Sequence, residues 1–126
     1  MESVHHPDVI FTDFVDDEIL SHLYSRARLF VFPSLSEGFG LPPLEAFVHG
    51  VPVASSNRTC LPEILGEGAL YFDPENISQM KDVICAGLKD EDIRFTLQEN
   101  AKLELIRYSW ERTARETLGI YTSAML

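Results

Sequence analysis

Leu29-Phe30-Val31-Phe32-Pro33-Ser34-Leu35-Ser36-Glu37-Gly38-Phe39-Gly40-Leu41-Pro42-Pro43-Leu44-Glu45-Ala46 decides how the chain reads. The run Leu29–Phe32 is apolar throughout, as expected of a strand buried on both faces. A glycine loop follows, and Pro42 suits the first turn of a helix, where its missing N–H costs nothing. Strand, glycine loop and helix start together predict an anion site, because helix N-termini carry unpaired N–H groups and partial positive charge. Gly38 and Gly40 have no Cβ, so a ligand can approach the backbone closely. Glu37 and Glu45 bracket the loop, eight positions apart. The spacing predicts Glu45 in the first helical turn, pointing back toward the loop. A carboxylate repels phosphate and accepts hydrogen bonds from a sugar diol. One loop thus offers N–H donors for phosphate and carboxylates for hydroxyls, a combination that fits a nucleotide or sugar nucleotide. The plainer readings are a surface turn for the glycines and a helix-dipole role for Glu45.

The same alternation extends outward. Val9–Phe11, Leu29–Phe32, Val51–Ala54 and Ala69–Phe72 read as strands, with helices between them. That predicts a parallel α/β sheet of about four strands, Rossmann-like, with helices on both faces. Asp16 is placed to cap a helix reaching about Arg26, whose apolar face is Ile19, Leu20, Leu23, Tyr24 and Ala27. Three helices close the chain, near 77–88, 91–107 and 110–122. Their apolar faces read Ile77/Met80/Ile84/Leu88, Ile93/Leu97/Ala101/Leu105 and Trp110/Ala114/Leu118/Tyr121, and Trp110 is expected in the core. Ser55–Thr59 reads as a polar loop. In open α/β sheets ligands bind beyond the carboxyl ends of strands, which is where the loop at 34–41 falls.

The chain has 126 residues, 45% of them hydrophobic, and a net charge of −10. Length and composition fit one domain with its own core. The charge argues against nucleic acid and anionic membrane surfaces as partners. It also poses a difficulty for a diphosphate ligand. The nearest cations to Glu37 in sequence are Arg28 and Arg58, so part of the site is expected to lie outside this chain. Cys60 and Cys85 have no metal or redox spacing and read as reduced structural thiols, suited to the cytoplasm. His5-His6 reads as solvated, and no metal site is expected. No segment approaches membrane-span length. Asp16 and Asp17 have two open readings: helix cap and first-turn acid, or acceptors for a purine edge.

The run Phe32-Pro33-Ser34, Glu37-Gly38-Phe39-Gly40-Leu41-Pro42 and Leu44-Glu45-Ala46 resembles the E-x7-E signature of the group 1 (family 4) glycosyltransferases. The resemblance continues through Gly50–Ser55, Leu61–Ile64, Ala69–Pro74 and Ser109–Ala114, covering roughly residues 9 to 122 in order. It implies the GT-B architecture, two Rossmann-like domains around a cleft, with residues 1–126 a partial C-terminal donor domain. It implies transfer of a hexose from a nucleotide donor to an acceptor with retention, without a metal or other cofactor; the alternatives are a non-catalytic nucleotide-sugar-binding module and an inactive truncated remnant. Glu37 would lie beside the donor sugar and diphosphate as the catalytic residue. Gly38, Phe39, Gly40 and Leu41 would present N–H groups to sugar and phosphate, and Glu45 would hold the ribose hydroxyls. Val15, Asp16 and Asp17 match the loop that meets the base, which favours a GDP-sugar, mannose first, with UDP-sugars as the alternative. Asp13 departs from the family's glycine in Phe11-Thr12-Asp13-Phe14-Val15.

The resemblance also implies what is expected beyond this chain: the family's diphosphate-neutralising Arg and Lys, two further strands and an acceptor domain, all upstream. A cytoplasmic enzyme, peripheral to a membrane at most, follows from the same likeness. The family's strand order, 3-2-1-4-5-6, would leave one edge of Leu29–Phe32 bare. Either Val9–Phe11 moves in to pair with it, or the edge pairs with another copy of the chain.

Overall fold

The computed structural model describes residues 6–125. Three strands alternate with helices: α1 (Asp17–Arg26), β1 (Phe30–Phe32), α2 (Leu41–Val48), β2 (Val53–Ser56), α3 (Leu61–Leu65) and β3 (Ala69–Phe72). A 3-10 turn at Gly66–Gly68 joins α3 to β3, and α4 (Ile77–Lys89), α5 (Glu91–Leu105) and α6 (Trp110–Ala124) follow. The sheet is parallel, in the order β1-β2-β3. Phe30 pairs with Val53, and Val53 with Ala69, so these three share one row across the sheet.

Side chains alternate across a strand, and that register sorts the two faces. Phe30, Phe32, Val53, Ala69 and Tyr71 pack with Leu44, Phe47, Leu61, Leu65 and Ala101 of α2, α3 and α5. On the other face α4 lies close over Leu29 and Leu70; a Cβ on Gly87 would come within 3.0 Å of Leu29 Cδ1. Helices therefore cover both faces. Capping follows the sequence. Asp16 Oδ1 accepts from Ile19 N at 2.9 Å, and Asn76, Asp90 and Ser109 cap α4, α5 and α6 in the same way.

Three expectations change. Val9–Phe11 forms no strand; its side chains are exposed, and it does not move in beside β1. A lone strand leaves its backbone groups without partners, and among the described residues nothing stands beside this segment to pair with it. The sheet thus has three strands rather than four, and the outer edge of β1 carries no neighbour among the described residues. Second, α6 buries nothing: Trp110 is 78% exposed, Leu118 66% and Tyr121 67%. Its periodicity marks an apolar face with no surface of the described chain laid against it. The face of α1 behaves likewise, with Tyr24 alone buried. Third, Ser55 and Ser56 belong to β2 and are fully buried. Ser55 Oγ donates to the Ser56 carbonyl at 3.2 Å and Ser56 Oγ accepts from Arg58 N at 3.1 Å, so neither hydroxyl is orphaned.

Candidate functional site

The loop after β1 is fixed by its glycines and by a neighbouring loop. Gly40 has φ +87°, in the left-handed region, and directly precedes α2. A Cβ there would lie 2.6 Å from Leu61 Cδ2, so the position admits only glycine without displacement. Gly38 has open space where its Cβ would be. The N–H groups of Gly38, Phe39 and Gly40 donate no hydrogen bond among the described residues, and α2 has no side-chain cap. Three donors in the loop leading into α2 are therefore free, whereas Pro42 and Pro43 in the first turn have no N–H to offer. Phe39 is held edge-on against Tyr108, with ring centroids 5.6 Å apart and planes at 88°.

Glu37 is half-buried and anchored through three groups. Its Oε1 accepts from Ser34 Oγ at 2.9 Å. Its N–H donates to Thr59 Oγ1 at 3.2 Å, and its carbonyl accepts from Cys60 Sγ at 3.3 Å. Thr59 and Cys60 lie in the β2–α3 loop, at the carboxyl end of the adjacent strand. Sequence spacing gave no signal for this contact, because strand register alone brings the two loops together.

Glu45 sits one residue further into α2 than expected, just past the first turn. The helix begins at Leu41, and its first turn holds no acidic residue. The carboxylate turns toward α1, where Tyr24 Oη donates to Oε2 at 3.2 Å. Tyr24 packs against Phe30 and the imidazole of His49. Burial, then the charge of Glu45 and the hydrogen bond to it, push the Tyr24 hydroxyl up to about 12. Asp16 caps α1, and Asp17 opens it. Seven residues of helix separate Asp17 from Tyr24, about 10 Å at 1.5 Å per residue. Asp13 has φ +50°, so the aspartate keeps the left-handed backbone that glycine adopts most easily.

Phe39, Leu41, Leu44 and Glu45 form one wall of an open cleft of about 760 Å³. Arg107, Tyr108, Trp110 and Arg112 from the α5–α6 junction form the other. Arg107 and Tyr108 escaped the sequence reading, and Trp110 and Arg112, read there as helix and family-motif positions, were not placed beside the loop, which lies some sixty positions upstream. Arg107 is held by Glu104 Oε2 at 2.6 Å and by the Glu63 carbonyl at 3.1 Å, with its guanidinium 5.4 Å from the Tyr108 ring centre. Arg112 donates to the Ile106 and Arg107 carbonyls. Tyr108 donates to the Ile64 carbonyl at 2.8 Å, and burial raises its hydroxyl above the ordinary range. Arg58 is bound to Asp73 Oδ1 at 2.9 Å and Glu75 Oε2 at 2.7 Å. The cations around the loop are thus engaged by partners of the same chain. Val15, Asp16, Asp17, Glu37, Gly38 and Gly40 do not line the cleft; Phe39, Leu41 and Glu45 do.

Among the described residues no helix is long and apolar enough to cross a membrane. Cys60 and Cys85 are free thiols.

Residues 5–104 match the family described as "Glycosyl transferases group 1". The chain is 40% identical over 111 residues to O-antigen chain mannosyltransferase B of Escherichia coli, covering 88% of this chain and 29% of that protein. It is 40% identical over 114 residues to the serotype-specific mannosyltransferase WbdA of Escherichia coli, covering 90% of this chain and 14% of the relative. Among solved structures, the sucrose-phosphate synthase of Thermosynechococcus elongatus superposes with a TM-score of 0.79 at 29% identity, covering 88% of this chain and 29% of that one. The chain therefore spans less than a third of each of these proteins.

Proposed function

The chain belongs to the group 1 glycosyl transferases, and from that membership we propose that it is the donor-binding part of a retaining enzyme transferring a hexose, with GDP-mannose the favoured donor. The observation that carries the reading is the row of free N–H groups at Gly38–Gly40, one helical turn from the Glu45 carboxylate. Amides at a helix start suit a diphosphate. Glu45, steadied by Tyr24, suits ribose hydroxyls, and Glu37 suits the sugar at the reacting end. Asp16 and Asp17 are assigned to the base, where carboxylates accept from the N–H groups of guanine. The mannosyltransferase names of the relatives at 40% identity favour mannose. UDP-sugars are the competing donors.

An acceptor domain and the cations that neutralise the diphosphate are assigned to a longer protein, as the length of the relatives suggests. Reduced thiols go with a cytoplasmic setting, with the longer enzyme peripheral to a membrane. The bare edge of β1 is assigned either to strands of that longer protein or to a second copy of this chain. Calorimetric titration of the chain with GDP, UDP and ADP tests the donor reading. Binding selective for GDP is the expected result. Selectivity for UDP moves the donor to the competing class, and binding of none of the three overturns the assignment.

A further inference from the structure

We infer that Thr59 is a positioning residue for Glu37, holding the glutamate's backbone where the donor sugar is read. The inference rests on the donor-site reading above and adds a residue that the loop itself does not contain. Thr59 Oγ1 accepts the Glu37 N–H at 3.2 Å, and the next residue, Cys60, donates its thiol to the Glu37 carbonyl at 3.3 Å. Two consecutive side chains of one loop thus satisfy both main-chain groups of a single residue in another. The Glu37 side chain is tied separately, by Ser34. Such a residue cannot rotate about its peptide planes without breaking contacts on both sides.

The backbone of Thr59 is the second observation. Its φ is +52°, in the left-handed region. A β-branched residue is sterically disfavoured there, and glycine would adopt the conformation freely. Strain of this kind persists where the surroundings over-determine the chain. They do so here. Asn57 N donates to the Phe72 carbonyl at 2.9 Å, and Arg58 N to Ser56 Oγ at 3.1 Å. The Arg58 guanidinium bridges Asp73 and Glu75, pinning the loop to the end of β3. What threonine adds over glycine at this position is a methyl group and the hydroxyl that Glu37 uses. The Thr59 side chain is exposed, so the methyl fills no core. The hydroxyl is the feature that accounts for a strained residue type.

A purely structural role and a positioning role separate under substitution. Thr59→Val removes the hydroxyl and keeps the shape and the strain. Thr59→Gly removes the hydroxyl and relieves the strain. Thr59→Ser keeps the hydroxyl. The experiment measures amide hydrogen exchange at Glu37 by NMR, melting temperature, and GDP-mannose and UDP-glucose binding by calorimetry, all on the full 126-residue chain. Glu37 exchange is expected to accelerate roughly two- to tenfold in Thr59→Val and Thr59→Gly, the loss of one hydrogen bond. Binding of the preferred sugar nucleotide should weaken in both, while Thr59→Gly melts no lower than the parent. Thr59→Ser should match the parent in exchange and binding.

Unchanged Glu37 exchange in Thr59→Val and Thr59→Gly overturns the contact, and so does a Thr59→Ser variant that behaves like Thr59→Val. Accelerated exchange with unaltered donor binding overturns the positioning role while leaving the contact standing. A parent that binds neither sugar nucleotide overturns the donor reading and the positioning role that rests on it; exchange still decides the contact.

Discussion

Tyr24 and Glu45 join α1 to α2 through a hydroxyl–carboxylate hydrogen bond of 3.2 Å. The bond holds the carboxylate through Oε2, and Glu45 also lines the cleft. A carboxylate already oriented loses less conformational freedom when a diol binds. On the donor reading proposed above, Tyr24 would steady the ribose contact assigned to Glu45, in addition to its place in the core.

Glu45→Ala is expected to weaken GDP binding by about 1.5–3 kcal/mol, the scale of hydrogen bonds to a charged acceptor. The cost to stability should be smaller, because the Tyr24 bond is a single part-buried contact of 3.2 Å and its hydroxyl also reaches the Pro42 carbonyl at 3.4 Å. The helix dipole adds little, because its influence fades beyond the first turn and Glu45 lies past it. Tyr24→Phe should weaken binding less than Glu45→Ala. Calorimetry alongside thermal melts checks both; an alanine variant that melts far lower yet binds normally makes Glu45 structural.

Stability should fall on the alkaline side through Tyr24. Its folded hydroxyl is raised to about 12 from an ordinary 10, first by burial and then by Glu45. The folded state thus disfavours the tyrosinate. The contribution is complete below about pH 10 and is lost as pH rises toward 12. Tyr71 acts in the same direction: burial raises its hydroxyl, and its bond to the Gly66 carbonyl spans 2.6 Å. The melting temperature should drop between about pH 10 and 12, and the drop should be smaller in Tyr24→Phe. Equal slopes in parent and variant reject the assignment.

How much of this was legible in the sequence depended on what each pattern reports. Leu29–Phe32 and Ala69–Phe72 read correctly as strands because parallel strands between helix layers are apolar almost throughout, though β1, at the sheet edge, is half-buried rather than buried on both faces. The face of α5 read correctly because Leu97 and Ala101 meet the sheet and the 3-10 turn. Trp110, Leu118 and Tyr121 have the same periodicity and are exposed. Periodicity declares that a face is apolar and says nothing of which surface covers it. The loop motif pointed to Glu37 and its glycines. It left out the Thr59 and Tyr24 contacts with Glu37 and Glu45, which arise from strand register and helix packing. Ser55 and Ser56 looked like loop residues because their polarity hides two local hydrogen bonds inside β2.

The two glycines of the loop should respond differently to alanine. Gly40→Ala places a Cβ at φ +87°, 2.6 Å from Leu61 Cδ2. The left-handed backbone costs about 1–2 kcal/mol, and the overlap with a fully buried leucine adds about 1–3 kcal/mol. Gly38→Ala meets open space and an ordinary backbone. It should melt near the parent and still bind diphosphate more weakly, because the methyl stands where a ligand would approach. Urea melts of the two variants, with GDP titrations of Gly38→Ala, test the contrast; equal stability losses would sink it.

The chain by itself should bind donor without consuming it. Breaking the bond between sugar and phosphate develops charge on the leaving diphosphate, and enzymes stabilise that charge with preorganised donors and cations. The loop supplies amides at Gly38–Gly40. The nearby cations are committed elsewhere: Arg58 to Asp73 and Glu75, Arg107 to Glu104, Arg112 to main-chain carbonyls. The cleft is also open, so water competes with any acceptor and screens every electrostatic contact. Incubating the purified 126-residue chain with GDP-mannose and a panel of sugar acceptors should release no GDP above the spontaneous rate. Sustained release of GDP, abolished by Glu37→Ala, would show that these residues alone carry the charge stabilisation and that no further cation is needed.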